Sequence, residues 1–234
     1  MKIILKNKFP SRIFNVIKTA ESFSEPGRFS VYIVGGVVRD LLLKMPNFDL
    51  DFVVEGDGIE FAKILNSSLK GEVRLHKPFG TATIDFDGIR IDVVTARSES
   101  YKAPAAYPDV RPGTIKEDLF RRDFTINAMA VSINKKDFGR LIDFYSGYRD
   151  LKNGIIRVLH DRSFIDDPTR IFRAVRFSVR FGFKIEPHTK ALMKDAIKAG
   201  FLGEVNRGRI RKEIDLFLKE KDPLKCLRVF SGLL

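Results

Sequence analysis

The sequence predicts a mixed α/β domain built on a small sheet, followed by a helical segment. Three observations predict it. Period-2 alternation marks short strands between residues 31 and 94, an Asp87-Gly88 pair joins two of them, and helical spacing dominates from Asp161 to Leu234. The 234 residues are 44% hydrophobic, enough for one or two domains with a real core. Lys and Arg number 42 against 30 Asp and Glu, and the net charge of +12 points to a polyanionic partner. No run approaches the ~18 apolar residues of a membrane span, and residues 1–20 mix Lys, Arg and Pro, so neither a span nor a signal peptide is read. A cytoplasmic chain is expected. Cys226 is the single cysteine and His76, His160 and His188 are scattered, which excludes an intramolecular disulfide and leaves a Cys/His zinc site short of ligands. Any bound metal is expected to be hard and oxygen-ligated.

The elements follow in order. Ile13, Val16, Ile17 and Ala20 repeat at i, i+3, i+4 and i+7 after Pro10-Ser11, which reads as an amphipathic helix capped by the serine. Val31 to Val34 run into Gly35-Gly36 and then Val37 to Leu43, a strand, a glycine turn and a helix start. Leu50, Phe52 and Val54 alternate with Asp49, Asp51 and Val53, so the two aspartates share one face of a strand. Asp57 and Glu60 resemble a capping box opening a helix through Ala62, Leu65 and Leu69. Thr81 to Phe86 and Ile89 to Val94 flank the Asp87-Gly88 hairpin signal. Ala96 to Glu117 holds three prolines and many charges without periodicity, and is read as a mobile loop. A short helix-plus-strand unit, Asp123 to Ile133 then Arg140 to Phe144, leads to a domain boundary near Gly154 to His160.

Three clusters can do chemistry. The first is Gly35-Gly36-Val37-Val38-Arg39-Asp40, followed by Asp49-x-Asp51. Glycines admit a phosphate to the backbone and Arg39 adds a charged fork, although a lone Gly-Gly also suits an ordinary turn. Two carboxylates at i and i+2 can share divalent cations, whereas on an exposed face they are simply solvated. Asp92, in the second hairpin strand, is either a base or extra ligand for attack by a 3′ hydroxyl, or the ion-pair partner of Arg90 or Arg97. The second cluster is Arg121-Arg122-Asp123 to Asn127, where the arginines suit phosphates and Asp123 or Asn127 would orient them, or the segment is a solvated helix start. The third runs from Asp166-Asp167-Pro168 to Arg180. Asp167 suits an N-cap, Pro168 the first helical position and Gly182 the helix end. Arg170, Arg173, Arg176 and Arg180 form a stripe opposite Ile171, Ala174, Val175, Ser178 and Val179; such a stripe is usually solvated, but arginine forks can also bond base edges or phosphates.

Taken together and in this order, GGVVRDLLL, DLD, RRDFTINAMA and DDPTRIFRAVRF resemble the class II tRNA nucleotidyltransferase and bacterial poly(A) polymerase superfamily of CCA-adding and A-adding enzymes. TARSESY and the proline-rich loop after it fit the same pattern, and the resemblance covers Tyr32 to Leu234. It implies a polymerase-β-like nucleotidyltransferase head with a small mixed sheet over residues 1–155 and an all-helical, nucleotide-selecting neck over residues 156–234. It implies that Gly36 and Arg39 contact the incoming nucleotide, that Asp49 and Asp51 bind Mg²⁺, and that Arg122 helps hold the nucleotide. Asp167, Arg170, Arg173 and Arg176 would line the pocket that selects ATP or CTP. The family usually has Glu where Asp166 stands and often Gly where Lys44 follows the leucines. It also continues past the segment matched by Ser231 to Leu234, so its body and tail domains are expected to be absent here.

The expected activity is template-independent, Mg²⁺-dependent addition of AMP, and of CMP if CTP is accepted, to the tRNA 3′ end, with Asp49, Asp51 and Asp92 as catalytic residues. A poly(A) polymerase on the same head and neck is the first alternative. A non-catalytic RNA-binding module is the second, and two repelling carboxylates argue against it. The oligomeric state stays open.

Overall fold

The first amphipathic run folds into helix α1 (Ser11–Ser22), with Ile13, Val16, Ile17 and Ala20 all buried. Its cap differs from the expected one: Pro10 occupies the N-cap position, Ser11 is already helical, and the Pro10 carbonyl accepts from Ile13 and Phe14 N–H. In the computed structural model, which describes residues 1–234, the chain then continues through β1 (Ser30–Val34), α2 (Gly36–Leu42), β2 (Leu50–Glu55) and α3 (Gly58–Leu69). Asp57 caps α3 by accepting from Ile59 N–H at 2.9 Å and Glu60 N–H at 3.0 Å, while the Glu60 carboxylate turns to Arg28. Strands β3 (Glu72–His76), β4 (Thr81–Phe86) and β5 (Ile89–Thr95) follow. Asp87 and Gly88 between β4 and β5 have φ of 48° and 70°, the pair of positive values that a two-residue type I′ turn requires.

Two stretches depart from expectation. Residues 96–117 are not structureless: β6 (Arg97–Ser100) pairs with β7 (Asp109–Pro112), and α4 (Ile115–Phe120) starts on a Thr114/Glu117 capping box. Strand β7 is exposed along its whole length, and neither it nor β6 buries a residue, so neither shows apolar alternation; α4 is too short to show a helical period. Within residues 123–133 the expected helix shrinks to one 3₁₀ turn, Thr125–Asn127, followed by β8 (Ala130–Ser132), with β9 (Leu141–Ile142) beyond. Phe124, Ile126, Ala128, Met129, Ala130, Val131 and Ile133 are all buried, and periodicity does not separate strand from helix when no side faces water.

The seven-stranded sheet has the order β3-β4-β5-β2-β1-β8-β9. Only β2 and β5 are parallel, and that pairing sets Asp51 opposite Asp92. Leu50, Phe52 and Val54 are fully buried, and α3, which contacts β2, β4 and β5, buries Phe61 and Leu65. Each such side chain contributes roughly 1.5–3 kcal/mol. Along the other face of β2 exposure falls from Asp49, which is exposed, through half-buried Asp51 to buried Val53. That face is therefore open at its Asp49 end.

The chain divides into two compact units: the sheet unit comprises Met1–Ser98, Arg111–Arg122 and Asn127–Tyr145, and the helical unit Glu99–Val110, Asp123–Ile126 and Ser146–Leu234. The helical unit contains α5 (Gly147–Asn153), β10 (Ile155–Ile156), α6 (Ser163–Asp166), α7 (Arg170–Phe181), β11 (Lys184–Ile185), α8 (Pro187–Lys198), α9 (Phe201–Glu204), α10 (Arg207–Leu218) and α11 (Pro223–Ser231). Besides its helices it carries a small parallel pair, β10 and β11. Phe172 of α7 stacks on Phe230 of α11 at 5.0 Å and meets Phe217 of α10 edge-on at 5.7 Å. Gly182, at φ 68°, ends α7 as expected. No helix is long and apolar enough to cross a membrane.

Lys44 follows α2 with φ 59°, in the left-handed region where a side chain is strained and glycine is not. Lys44→Gly is therefore expected to raise stability, by up to about 1 kcal/mol once the extra freedom of the unfolded glycine is subtracted. A urea midpoint that stays put or falls would contradict this.

Candidate active site

In the sheet unit the site grows from the end of β1. Gly35 has φ 74°, and a Cβ placed on it would stand 2.9 Å from Arg122 Nη1 and 3.9 Å from Asp51 Oδ2. One arginine and one carboxylate thus converge on a backbone that must be bare. A Cβ on Gly36 would meet only Arg39 Nη2 at 3.5 Å and Asn47 Nδ2 at 3.9 Å, ordinary contacts. Gly36 is the member of the pair expected to contact the nucleotide; the stricter conformational demand falls on Gly35.

Arg39 is buried and fixed from two sides. Its Nε donates to Asp40 Oδ1 at 2.8 Å and its Nη1 to Asn127 Oδ1 at 2.7 Å. Asn47 Nδ2 donates to the other Asp40 oxygen at 2.7 Å, and Asn47 Oδ1 accepts from Asp49 N–H at 3.1 Å. A continuous polar chain therefore links Asn127, Arg39, Asp40, Asn47 and the backbone of Asp49. Asp40 lay beside Arg39 in the motif but carried no role; Asn47 had no signal at all.

Arg122 is held by Asp118, whose side chain is 0% exposed. Asp118 accepts from Arg122 Nη2 at 2.9 Å and from Arg121 Nε and Nη2 at 3.1 and 2.8 Å. Burial alone would raise the Asp118 carboxyl, but the charges of Arg122 and Arg121 outweigh it and hold it below its ordinary value. Asp118 holds both arginines, Asn127 accepts from Arg39, and Asp123 accepts from Arg173. The Asp118 clamp has a local i, i+3 and i, i+4 spacing, whereas the Arg39–Asn127 and Arg173–Asp123 pairs are made by the fold and leave no mark in spacing.

The three carboxylates share one face. Asp92 is the strand partner of Asp51; it accepts from Thr83 Oγ1 at 2.6 Å and from Arg90 Nε at 3.1 Å, so the Arg90 ion pair is present. Asp51 is pushed up to about 6, first by burial and then by the charges of Asp92 and Asp49, against the opposing charge of Arg122. Asp49 and Asp51 offer oxygen donors, the kind a hard divalent cation takes, although no group of three or more carboxylates stands close enough to hold an ion by itself.

In the helical unit, the arginine stripe of α7 is not a solvated face. Arg170 and Arg176 are each 6% exposed. Arg170 Nη1 donates to Ser163 Oγ at 2.7 Å, Arg173 donates to Asp123 Oδ2 from Nε at 2.8 Å and Nη2 at 2.6 Å, and Arg176 lies 3.7 Å from Glu213. Arg180 pairs with Glu220. The Asp123 charge raises Arg173, against burial. Asp167 accepts from Thr169 N–H and Oγ1 at 3.0 and 2.6 Å and from Arg209 Nη2 at 2.8 Å, while α7 proper begins at Arg170. Asp166 pairs with Arg162 at 3.4 Å.

Residues 31–157 match the family of the poly A polymerase head domain. An A-adding tRNA nucleotidyltransferase of Geobacter sulfurreducens is 50% identical over 204 residues, covering 87% of this chain and 23% of that protein. One from Aquifex aeolicus is 51% identical over 199 residues, covering 85% and 24%. Among solved structures, a CCA-adding enzyme in its apo form II superposes with a TM-score of 0.94 at 48% identity, over 98% of this chain and 54% of that one. The chain thus spans about a quarter of those two relatives and about half of that structure.

Gly35→Ala forces both a left-handed alanine and a clash with Arg122, so it should destabilise by more than ~1 kcal/mol, whereas Gly36→Ala should stay within about 1 kcal/mol of the parent. Equal urea midpoints for the two variants would refute the difference. Asp51 binds its proton more tightly folded, at about 6, than at its ordinary 3.8. Its contribution to stability is therefore complete below pH 4 and is lost as pH rises towards and through 6, by roughly 1–3 kcal/mol. In chelator, Asp51→Asn should gain in melting temperature over the parent between pH 4 and 7; a pH-independent gap would exclude the shift.

Proposed function

This chain belongs to the poly A polymerase head-domain family, and from that premise we propose that it houses a nucleotidyl-transfer centre adding AMP from ATP, and CMP where CTP is accepted, to the 3′ end of tRNA. The observation that carries the reading is the convergence of Asp51 and Arg122 on the bare backbone of Gly35, with Asp49 and Asp92 on the same sheet face. The names of the relatives, A-adding tRNA nucleotidyltransferases, favour AMP as the added unit. Such a substrate assigns the work to the cytoplasm.

Asp49 and Asp51 would hold Mg²⁺. When bound, that ion lowers the pKa of the attacking hydroxyl and balances charge on the leaving pyrophosphate. The chain's own residues do the positioning. Arg39, locked by Asp40 and Asn127, and the Gly36 backbone face the nucleotide, and Arg122, locked by Asp118, donates to its phosphates. The primer 3′ oxygen forms a bond to the α-phosphorus as the bond to the bridging β-oxygen breaks. The hydroxyl proton is assigned to Asp92, which Thr83 and Arg90 hold in place. From the helical unit, Asp167 accepts from a base amino group and Arg170, Arg173 and Arg176 form the donor wall that selects the base.

The test offers tRNAs ending in the discriminator base, C or CC, with ATP and CTP separately. Addition of a single AMP to the CC end is the expected product, and long tails on any RNA would replace this reading with a poly(A) polymerase. Asp49→Ala with Asp51→Ala should abolish incorporation while leaving the circular dichroism spectrum native. Incorporation by that variant would sink the mechanism.

A further inference from the structure

Beside the site lies an aromatic cluster to which none of these steps assigns work. Phe120, the last residue of α4, has its ring centroid 5.6 Å from that of Tyr145, and Phe144 lies 6.2 Å from Tyr145. Phe120 is 43% and Phe144 49% exposed. Tyr145 is pinned because its hydroxyl donates to the Lys116 carbonyl at 2.9 Å, and Lys116 Nζ stands 5.9 Å over the Phe144 ring. Phe144 also edges an open pocket of ≈ 380 Å³ whose lining includes Tyr32, Ile115, Asp137, Arg140, Ile142 and Asp143.

We propose that Phe120 and Phe144 form a stacking platform for unpaired bases of the RNA strand that enters the site. The proposal rests on the RNA primer of the function above. Its first support is position. Tyr32 is the cross-strand partner of Val53, which shares its face of β2 with Asp49 and Asp51, so the pocket wall and the carboxylates lie on one face of the sheet. From β2 to β9 are three strand spacings, about 14 Å, which some four stacked nucleotides span at ~3.4 Å each. Phe120 is two residues from Arg122, so the platform is continuous with the proposed phosphate donor.

Its second support is charge. Lys116 supplies a cation over the Phe144 ring in a chain of net charge +12, while Arg140 on the pocket wall balances Asp137. The carboxylates nearby are engaged: Glu117 accepts from Thr114 N–H and Oγ1 at 2.8 Å each, Asp137 takes Ser132 and Arg140, and Asp143 has a partner of its own. Exposed aromatic rings with adjacent cations are what single-stranded nucleic acid binds, because every base has a face to stack. Rings held by their neighbours lose little freedom when a base arrives.

The chain has no tryptophan, so Phe144→Trp is a unique fluorophore. Its emission should be quenched by a single-stranded RNA oligonucleotide ending in CC at a salt concentration that suppresses purely ionic contacts. The Phe120→Leu/Phe144→Leu variant keeps apolar volume but removes stacking, so its KM for RNA should rise by about 5-fold or more with kcat at saturating RNA retained, while Phe144→Tyr restores the parent KM. Quenching without extension by the parent chain would leave the platform standing and remove the proposed function. Extension with neither quenching nor a change in KM would remove the platform and leave the function. If KM is unchanged and the double leucine variant instead loses self-association in sedimentation, the cluster is a protein interface and the proposal is overturned.

Discussion

The carboxylate of Asp118 is sealed from water, and two arginines make that possible. Removing both arginines would leave the buried charge uncompensated, and breaking a buried pair in that way costs roughly 3–5 kcal/mol. The clamp also decides where Arg122 points, and Arg122 in turn bears on two other groups. Its guanidinium lies against the bare backbone of Gly35, and its charge opposes the rise of the Asp51 carboxyl that burial causes. The placement of the strongest positive charge acting on Asp51 thus follows from a buried ion pair. Arg121 matters as a second neutralising charge, which lets Arg122 share its carboxylate and still face the site.

The same economy alters the meaning of the net charge of +12. Read from composition, the surplus of Lys and Arg suggests a broad basic surface. Yet Arg39, Arg170 and Arg176 are buried, and Arg173 is bound to Asp123 through two nitrogens. These arginines are held in fixed orientations by the acceptors that fold around them, Arg39 by Asp40 and Asn127 and Arg173 by Asp123. Arginine suits this use because its planar fork is rigid, where a lysine in the same place would be a mobile point charge. The surplus that remains for unspecific attraction is carried by exposed residues such as Lys116 and Arg140.

How much of this was legible in the sequence depended on whether the signal was local. The Asp87-Gly88 hairpin, the Gly182 helix end and the alternation around Asp49 and Asp51 are written in neighbouring residues, and each is found where expected. The pairing of β6 with β7 was not legible, because β7 is exposed throughout and β6 buries no residue, so neither carries apolar alternation. The run from Phe124 to Ile133 failed for the opposite reason, being buried on every side. Asn127 acts on Arg39 across 88 residues and is set there by the fold, whereas Asp118 stands three and four residues before Arg121 and Arg122, a local spacing that a search for helical ion pairs would find. The strand register that sets Asp51 opposite Asp92 was likewise invisible, although both aspartates had been singled out.

Three departures from ordinary packing meet in the sheet unit: the positive φ of Gly35, the raised Asp51 carboxyl, and Arg122 Nε, a buried donor with no acceptor. Each alone is a modest defect that substitution could relieve, Asp51 by Asn most simply. Their coincidence at one spot is harder to reconcile with a purely structural role, because strain and unmet polar groups tend to gather where a site is preorganised for something else to complete it. A divalent cation would satisfy the carboxylates, and a phosphate oxygen would accept from the exposed part of the Arg122 fork, its Nε being sealed from solvent. Those two groups arrive together on a metal-bound nucleoside triphosphate, the ligand of the proposed function. The fold around Gly35 is therefore best understood as half of a neutral assembly, with its anionic and cationic halves kept apart by a backbone that has no side chain to fill the gap.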